Sequence, residues 1–175
     1  MNDRHRSFYE KIEPMKRTLI IGYGNPDRQD DGVAWYILLQ VAKTLGIQAP
    51  STLEDPFPIL PDKPEFLFVL QLVPEMGEMV SKYELVCFVD AHTGDIKEEV
   101  RVVEITPEYQ HSAFTHHMTP QTCLEIARTV YGAKVEALLV SVRGYHFEFD
   151  DKLSPETEKL VPIAVDKIVH WLNLS

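Results

Sequence analysis

Three short apolar runs constrain this chain more than any other feature. They are Arg17-Thr-Leu-Ile-Ile-Gly22, Glu84-Leu-Val-Cys-Phe-Val-Asp90 and residues 136–142, the last followed by Arg143-Gly144. Each is rich in branched residues and stops at a glycine or a charged residue. Continuous apolar character over so few residues suits a strand covered on both faces. Helical patterns lie between and after these runs. Val33, Ile37, Leu38 and Val41 recur at helical spacing between Gly32 and Leu45, with Gly46 as the expected stop. Pro74-Glu-Met-Gly-Glu-Met-Val-Ser-Lys82 opens with proline at a tolerated first-turn position. Residues 120–131 form a predicted helix with Thr119 as N-cap and Gly132 as stop. Ser154-Pro-Glu-Thr-Glu158 opens a last helix, expected to run to Leu172.

Two weaker strands complete the pattern. Residues 66–72 alternate and are strongly apolar, and residues 99–105 alternate as a strand on a sheet edge or flank would. Residues 47–64 carry Pro50, Pro56, Pro58, Pro61 and Pro64, which predicts an irregular connection. Strands alternating with helices, without internal repeats, imply an α/β fold: a mostly parallel sheet with helices on both faces. In such sheets function gathers in loops at the carboxyl ends of the strands. That directs attention to residues 22–31, 90–95 and 143–150.

The chain has 175 residues, which suits a single domain over residues 17–175 preceded by an N-terminal extension, 1–16, without clear period. Its formal charge is −10, from 17 basic and 27 acidic residues, so the average field repels nucleic acid and anionic membrane. The first residues contain no apolar stretch of the signal-peptide kind, and no run approaches the roughly 18 apolar residues of a membrane span. The expected compartment is the cytoplasm. Cys87 and Cys123 sit among apolar neighbours without CxxC spacing and are expected to be buried, reduced thiols.

The first loop, Gly22-Tyr-Gly-Asn-Pro-Asp-Arg-Gln-Asp-Asp-Gly32, begins like a nucleotide-binding turn and then departs from it. A dinucleotide fingerprint needs a third glycine and a helix start left free for pyrophosphate. Here that place holds Asp27, Asp30 and Asp31, which would repel phosphate and suit a cation. A bland alternative is that Asp30 or Asp31 caps the following helix. Asp90, at the end of its apolar run, is a ligand, a general base or a satisfied turn residue. Phe114-Thr115-His116-His117-Met118-Thr119 places imidazole just before a helix, and two adjacent histidines do not easily face one point. Two carboxylates and one imidazole suit a borderline divalent metal such as nickel or zinc, and three ligands leave positions open for water or substrate. No GxSxG motif is present to offer a serine nucleophile.

These residues resemble the motifs of the hydrogenase maturation proteases. Ile20-Ile-Gly-Tyr-Gly-Asn-Pro-Asp-Arg-Gln-Asp-Asp-Gly32 is similar to the family's opening motif. Gln71-Leu-Val-Pro-Glu75 with Leu85-Val-Cys-Phe-Val-Asp-Ala91 resembles its second segment, and Thr115-His116 with the helix from Pro120 its third. The resemblance covers residues 17–172. It implies a three-layer, phosphorylase/hydrolase-like α/β fold. It also implies an endopeptidase that removes a C-terminal peptide from the nickel-loaded large-subunit precursor of nickel–iron hydrogenase and recognises the bound metal. By position, the family's ligands fall on Asp31, Asp90 and His116, with His117 as the alternative histidine. The nickel is expected to arrive with the substrate, and no nucleotide is expected. The metal would polarise the scissile carbonyl, activate a water or only position the chain, with Asp30 as a free carboxylate able to move a proton. A monomer is expected. The alternative reading is a non-proteolytic metal-binding assembly or chaperone protein using the same loops.

Overall fold

A computed structural model describes residues 16–109 and 118–174. The five apolar segments form one sheet: β1 (Thr18–Tyr23), β2 (Glu65–Val69), β3 (Leu85–His92), β4 (Val100–Ile105) and β5 (Glu136–Arg143). Their spatial order is β2-β1-β3-β5-β4. All neighbours run parallel except β4, which pairs antiparallel with β5 at the sheet edge. The most apolar runs, β1 and β3, occupy the interior, where both faces are covered. The alternating β4 takes the edge, where its Val102 is exposed.

The helices are α1 (Val33–Thr44), α2 (Met76–Val80), α3 (Pro120–Tyr131), α4 (Pro155–Glu158) and α5 (Val161–Leu174). Helices α1 and α5 cover one face, packing Ile37, Leu38, Val41, Ala164 and Ile168 over Ile20, Cys87, Val89 and Val140. Helices α2 and α3 cover the other, with Met76, Val80, Cys123 and Leu124 over Ile21, Val86 and Phe88. Each fully buried Leu, Ile, Val or Phe contributes roughly 1.5–3 kcal/mol of transfer free energy, so the two apolar layers are the main source of stability. The expected three-layer, mostly parallel α/β architecture is the one observed.

Helix α2 is shorter than the expected 74–82, spanning Met76–Val80, and three further elements differ from their sequence-based bounds by two residues or more. Strand β2 stops at Val69; Leu70 is 65% exposed, and the chain turns so that Leu72 packs under α2 and α3. The last helix is two helices, α4 and α5. Pro162 is the cause: in one continuous helix it would lack the N–H that bonds to Glu158 and would clash with that carbonyl. Strand β3 continues two residues past Asp90, as far as His92.

The topology opens a crevice. From β1 the chain proceeds through α1 to β2, on one side; from β3 it proceeds to β4 and β5, on the other. Connections that leave adjacent parallel strands in opposite directions part the loops above them, and ligands of α/β sheets bind there. The residue pairing of β1 with β3 ends at Gly22 and Val89, one residue before Asp90.

Candidate active site

Asp90 stands on β3 where β1 peels away. On β3 it shares the face of Val86 and Phe88, the side covered by α3. Its carboxylate is held by two donors. The Ala91 N–H donates to Oδ1 at 2.7 Å, and the Tyr23 hydroxyl, from the end of β1, faces it. Burial pushes the Asp90 carboxyl up to about 7. The negative charge of Asp31 adds to the rise, against the opposing pull of the Tyr23 hydroxyl and the Ala91 amide. The Tyr23 phenol is likewise pushed well above its ordinary range by burial and by Asp90. Cys123, in the first turns of α3, also acts on Tyr23, which brings the amino end of α3 to this crevice.

Asp31 reaches the crevice from the other side. It sits in a 3₁₀ turn, Gln29–Gly32, that packs against β3. Its Oδ2 accepts the Asn25 N–H at 2.9 Å, and the Asp31 N–H donates to Arg28 O at 3.1 Å. The glycines of the motif make this turn possible. Gly24 has φ +135, and a Cβ there would lie 2.0 Å from the Asp31 carbonyl oxygen. A Cβ on Gly32 would lie 2.5 Å from Pro26 Cα. Any side chain at either position would push the loop apart and move Asp31.

The bland reading of the acidic pair does not hold, because the 3₁₀ turn and α1 begin without a side-chain cap. Nor is Asp30 the free proton carrier expected from sequence. It is 0% exposed and accepts four hydrogen bonds: from Tyr145 N–H (2.8 Å), His146 N–H (2.9 Å), Ser154 N–H (2.7 Å) and the Ser154 hydroxyl (2.7 Å). Burial works to raise its carboxyl, but those donors outweigh it and hold Asp30 below the usual carboxylate range. A carboxylate so enclosed fastens the chain and does not meet a substrate.

His116 and His117 lie outside the described residues. Among the described residues no three His, Cys, Asp or Glu side chains group as a metal site. Both cysteines are buried thiols; burial raises Cys87, and Cys123 is pushed up to about 12, so neither is a free thiolate.

Two residues beside the crevice carry roles that sequence reasoning missed. Tyr23 could have been noticed as an aromatic residue between Gly22 and Gly24 at a strand end. His92 gave no such signal. Its Nδ1 lies 2.9 Å from the Ser141 hydroxyl and its Nε2 lies 2.9 Å from Glu98 O. A carbonyl oxygen only accepts, so Nε2 carries the proton and Nδ1 accepts from Ser141. Burial lowers the pKa of His92, and the neutral ring ties β3 to β5 and to the turn before β4.

No family model matches the chain, and no curated protein matches it. Solved structures do. The hydrogenase maturating endopeptidase HybD from Escherichia coli superposes with a TM-score of 0.63 at 20% identity, over 90% of this chain and 92% of that one. A NiFe hydrogenase maturation protease, HycI from Thermococcus kodakarensis, gives 0.63 at 16% identity over 90% and 93%. A hydrogenase 2 maturation peptidase from a Thaumarchaeota archaeon gives 0.57 at 19% identity over 91% and 100%. At these identities the likeness establishes a shared fold across nearly the whole length of each chain.

Proposed function

We propose that this protein is a hydrogenase maturation endopeptidase. It removes a C-terminal peptide from the nickel-loaded large-subunit precursor of a nickel–iron hydrogenase and recognises the metal carried by that substrate. The observation that carries the reading is the convergence of Asp31 and Asp90. They are 59 residues apart in number, one in the 3₁₀ turn after β1 and one near the end of β3, and they meet across the β1/β3 crevice, close enough for one charge to act on the other. The fold shared with solved maturation proteases supports it.

Two carboxylates facing each other in a low-dielectric cleft repel, and a divalent cation relieves that repulsion. Oxygen donors with one imidazole suit nickel. In this proposal His116 supplies the third donor, with His117 as the alternative, and the substrate brings the ion. A metal held by these residues would polarise the scissile carbonyl or activate a water. The chain's own part is to hold the two carboxylates at fixed positions and to keep the crevice narrow. Tyr23 keeps Asp90 turned toward the crevice, and Asn25 does the same for Asp31. The proposal places this work in the cytoplasm, on another protein and by a monomer; among the described residues no helix is long and apolar enough to cross a membrane.

The test is intact mass spectrometry of a nickel-loaded precursor incubated with this protein. A defined C-terminal peptide is released by the native chain and not by a folded Asp90→Asn variant. Normal cleavage by that variant would sink the assignment. Retention of the full precursor mass by a complex with the native chain would move the reading to a non-proteolytic assembly protein.

A further inference from the structure

The proposed reaction makes no use of Asp30, yet the chain builds a dense structure around it. The loop between β5 and α4 lies along residues 27–30. Gln29 N–H donates to Asp150 O at 3.0 Å, Asp150 N–H to Asp27 O at 3.2 Å, and Asp30 N–H to His146 O at 3.2 Å. Arg28 Nη2 donates to Phe147 O at 3.3 Å. Arg28 and Asp150 form a parallel bridge. The Asp30 carboxylate closes this arrangement from inside by taking the Tyr145, His146 and Ser154 amides and the Ser154 hydroxyl.

The segment being held is strained. Gln29 has φ +45, a left-handed conformation that non-glycine residues rarely adopt. Such a residue persists only where its surroundings over-determine it, and such strain clusters at functional sites. Here the surroundings are the β5–α4 loop and the Asp30 carboxylate. The next residue is Asp31.

We propose that Asp30 is a positioning residue: its buried carboxylate latches the β5–α4 loop onto the loop after β1 and thereby fixes the Asp31 carboxylate in the crevice. The acidic pair then divides its labour. One carboxylate faces inward and sets the backbone; its neighbour faces the crevice. The inference deepens the proposed function and rests on it only where activity is the readout.

The experiment compares Asp30→Asn with Ile168→Ala, a cavity variant in α5 that tests loss of stability without the latch. Asparagine keeps the shape, but either orientation of its amide turns an N–H toward a donor. Both proteins are studied well below their melting temperatures. The first readout is hydrogen exchange at the Asn25 amide, the group bonded to Asp31 Oδ2. Protection there falls on the order of tenfold or more in Asp30→Asn and is kept in Ile168→Ala. The second readout is precursor cleavage: kcat falls about 30- to 100-fold in Asp30→Asn with KM little changed, because a displaced reacting group loses rate before it loses binding. Should Asp30→Asn fail to fold, Ser154→Ala removes one of the four donors and moves both readouts the same way by less. Equal Asn25 protection in the latch and cavity variants overturns the inference, and so does lost protection with unimpaired kcat. If the native chain cleaves no precursor, the proposed function falls, and the Asn25 amide alone decides the latch.

Discussion

Asp30 and Asp90 face the same dominant penalty and meet opposite outcomes. Burial works to raise both carboxyls. At the latch, four donors surround Asp30, and its pKa drops below the usual range. At the crevice, Asp90 has one amide and one phenol, with Asp31 opposing, and it rises to about 7. The difference is the number of hydrogen-bond donors supplied. A carboxylate that the fold satisfies completely has become part of the scaffold. One that the fold leaves short of donors and beside a like charge holds its proton more tightly, and in the proposed function it would receive the substrate's cation.

That contrast can be broken by substitution. The largest effect is expected from Asp90→Asn: under the proposed function, precursor cleavage falls by on the order of 10³-fold or more, because a metal held at Asp90 would supply several kcal/mol to the reaction. Its melting temperature holds or rises, since a neutral amide removes a buried charge. Cleavage assays and calorimetry on the same preparation check both halves; a large drop in melting temperature would make Asp90 another scaffold residue.

Asp30→Asn should do the reverse at the level of stability, costing roughly 2–4 kcal/mol in urea unfolding through lost charge-assisted bonds and an unmatched donor. The sign with pH follows from the lowered folded pKa. The stabilisation is fully present above the unfolded carboxyl value of about 4 and is lost as pH falls through the folded value. Native and variant stability should therefore converge in acid, and a gap that stays constant to low pH would contradict the latch.

Asp90 gives an opposite slope. Its folded pKa is raised, to about 7, so its contribution to the metal-free protein is most favourable below the unfolded value and is lost as pH rises through 7. The native chain should lose stability over that window relative to Asp90→Asn. Equal slopes for the two proteins would mean that Asp90 is better solvated than its surroundings indicate.

The smallest effect concerns Cys87 and Cys123. Their raised thiols should leave the folded protein unreactive toward a thiol reagent at neutral pH, with both reacting only after denaturation. Rapid labelling of Cys123 in the native state would show that the amino end of α3 opens beside Tyr23.

Much of the architecture was legible because it follows from one-dimensional patterns. Unbroken apolar runs of strand length can be buried only in the middle of a sheet, and β1, β3 and β5 are there. The alternating run became the edge strand β4 for the same reason. The helix starts at Thr119 and Ser154 were readable because a cap acts on its own chain three residues away: Thr119 accepts from Thr122 N–H and Ser154 from Thr157 N–H. The break before α5 was in principle readable at Pro162. The early end of β2 was not, since Leu72 turns inward only because α2 and α3 leave a place for it.

The sequence by itself determined the α/β class, the crevice-lining loops and the acidic character of the first one, because periodicity, glycine placement and charge are local properties. Its local pattern drew attention to Asp90, at the end of an apolar run; the family resemblance picked Asp31 from the acidic loop, while the expected histidine, His116 or His117, lies outside the described residues. Only the tertiary structure decided how each acid is held. Asp30 and Asp31 are chemically identical neighbours, and the donors that separate them come from Tyr145, His146 and Ser154, more than a hundred residues further along the chain. Burial and hydrogen bonding are set by residues that meet only when the sheet closes, and no pattern within a single segment records them.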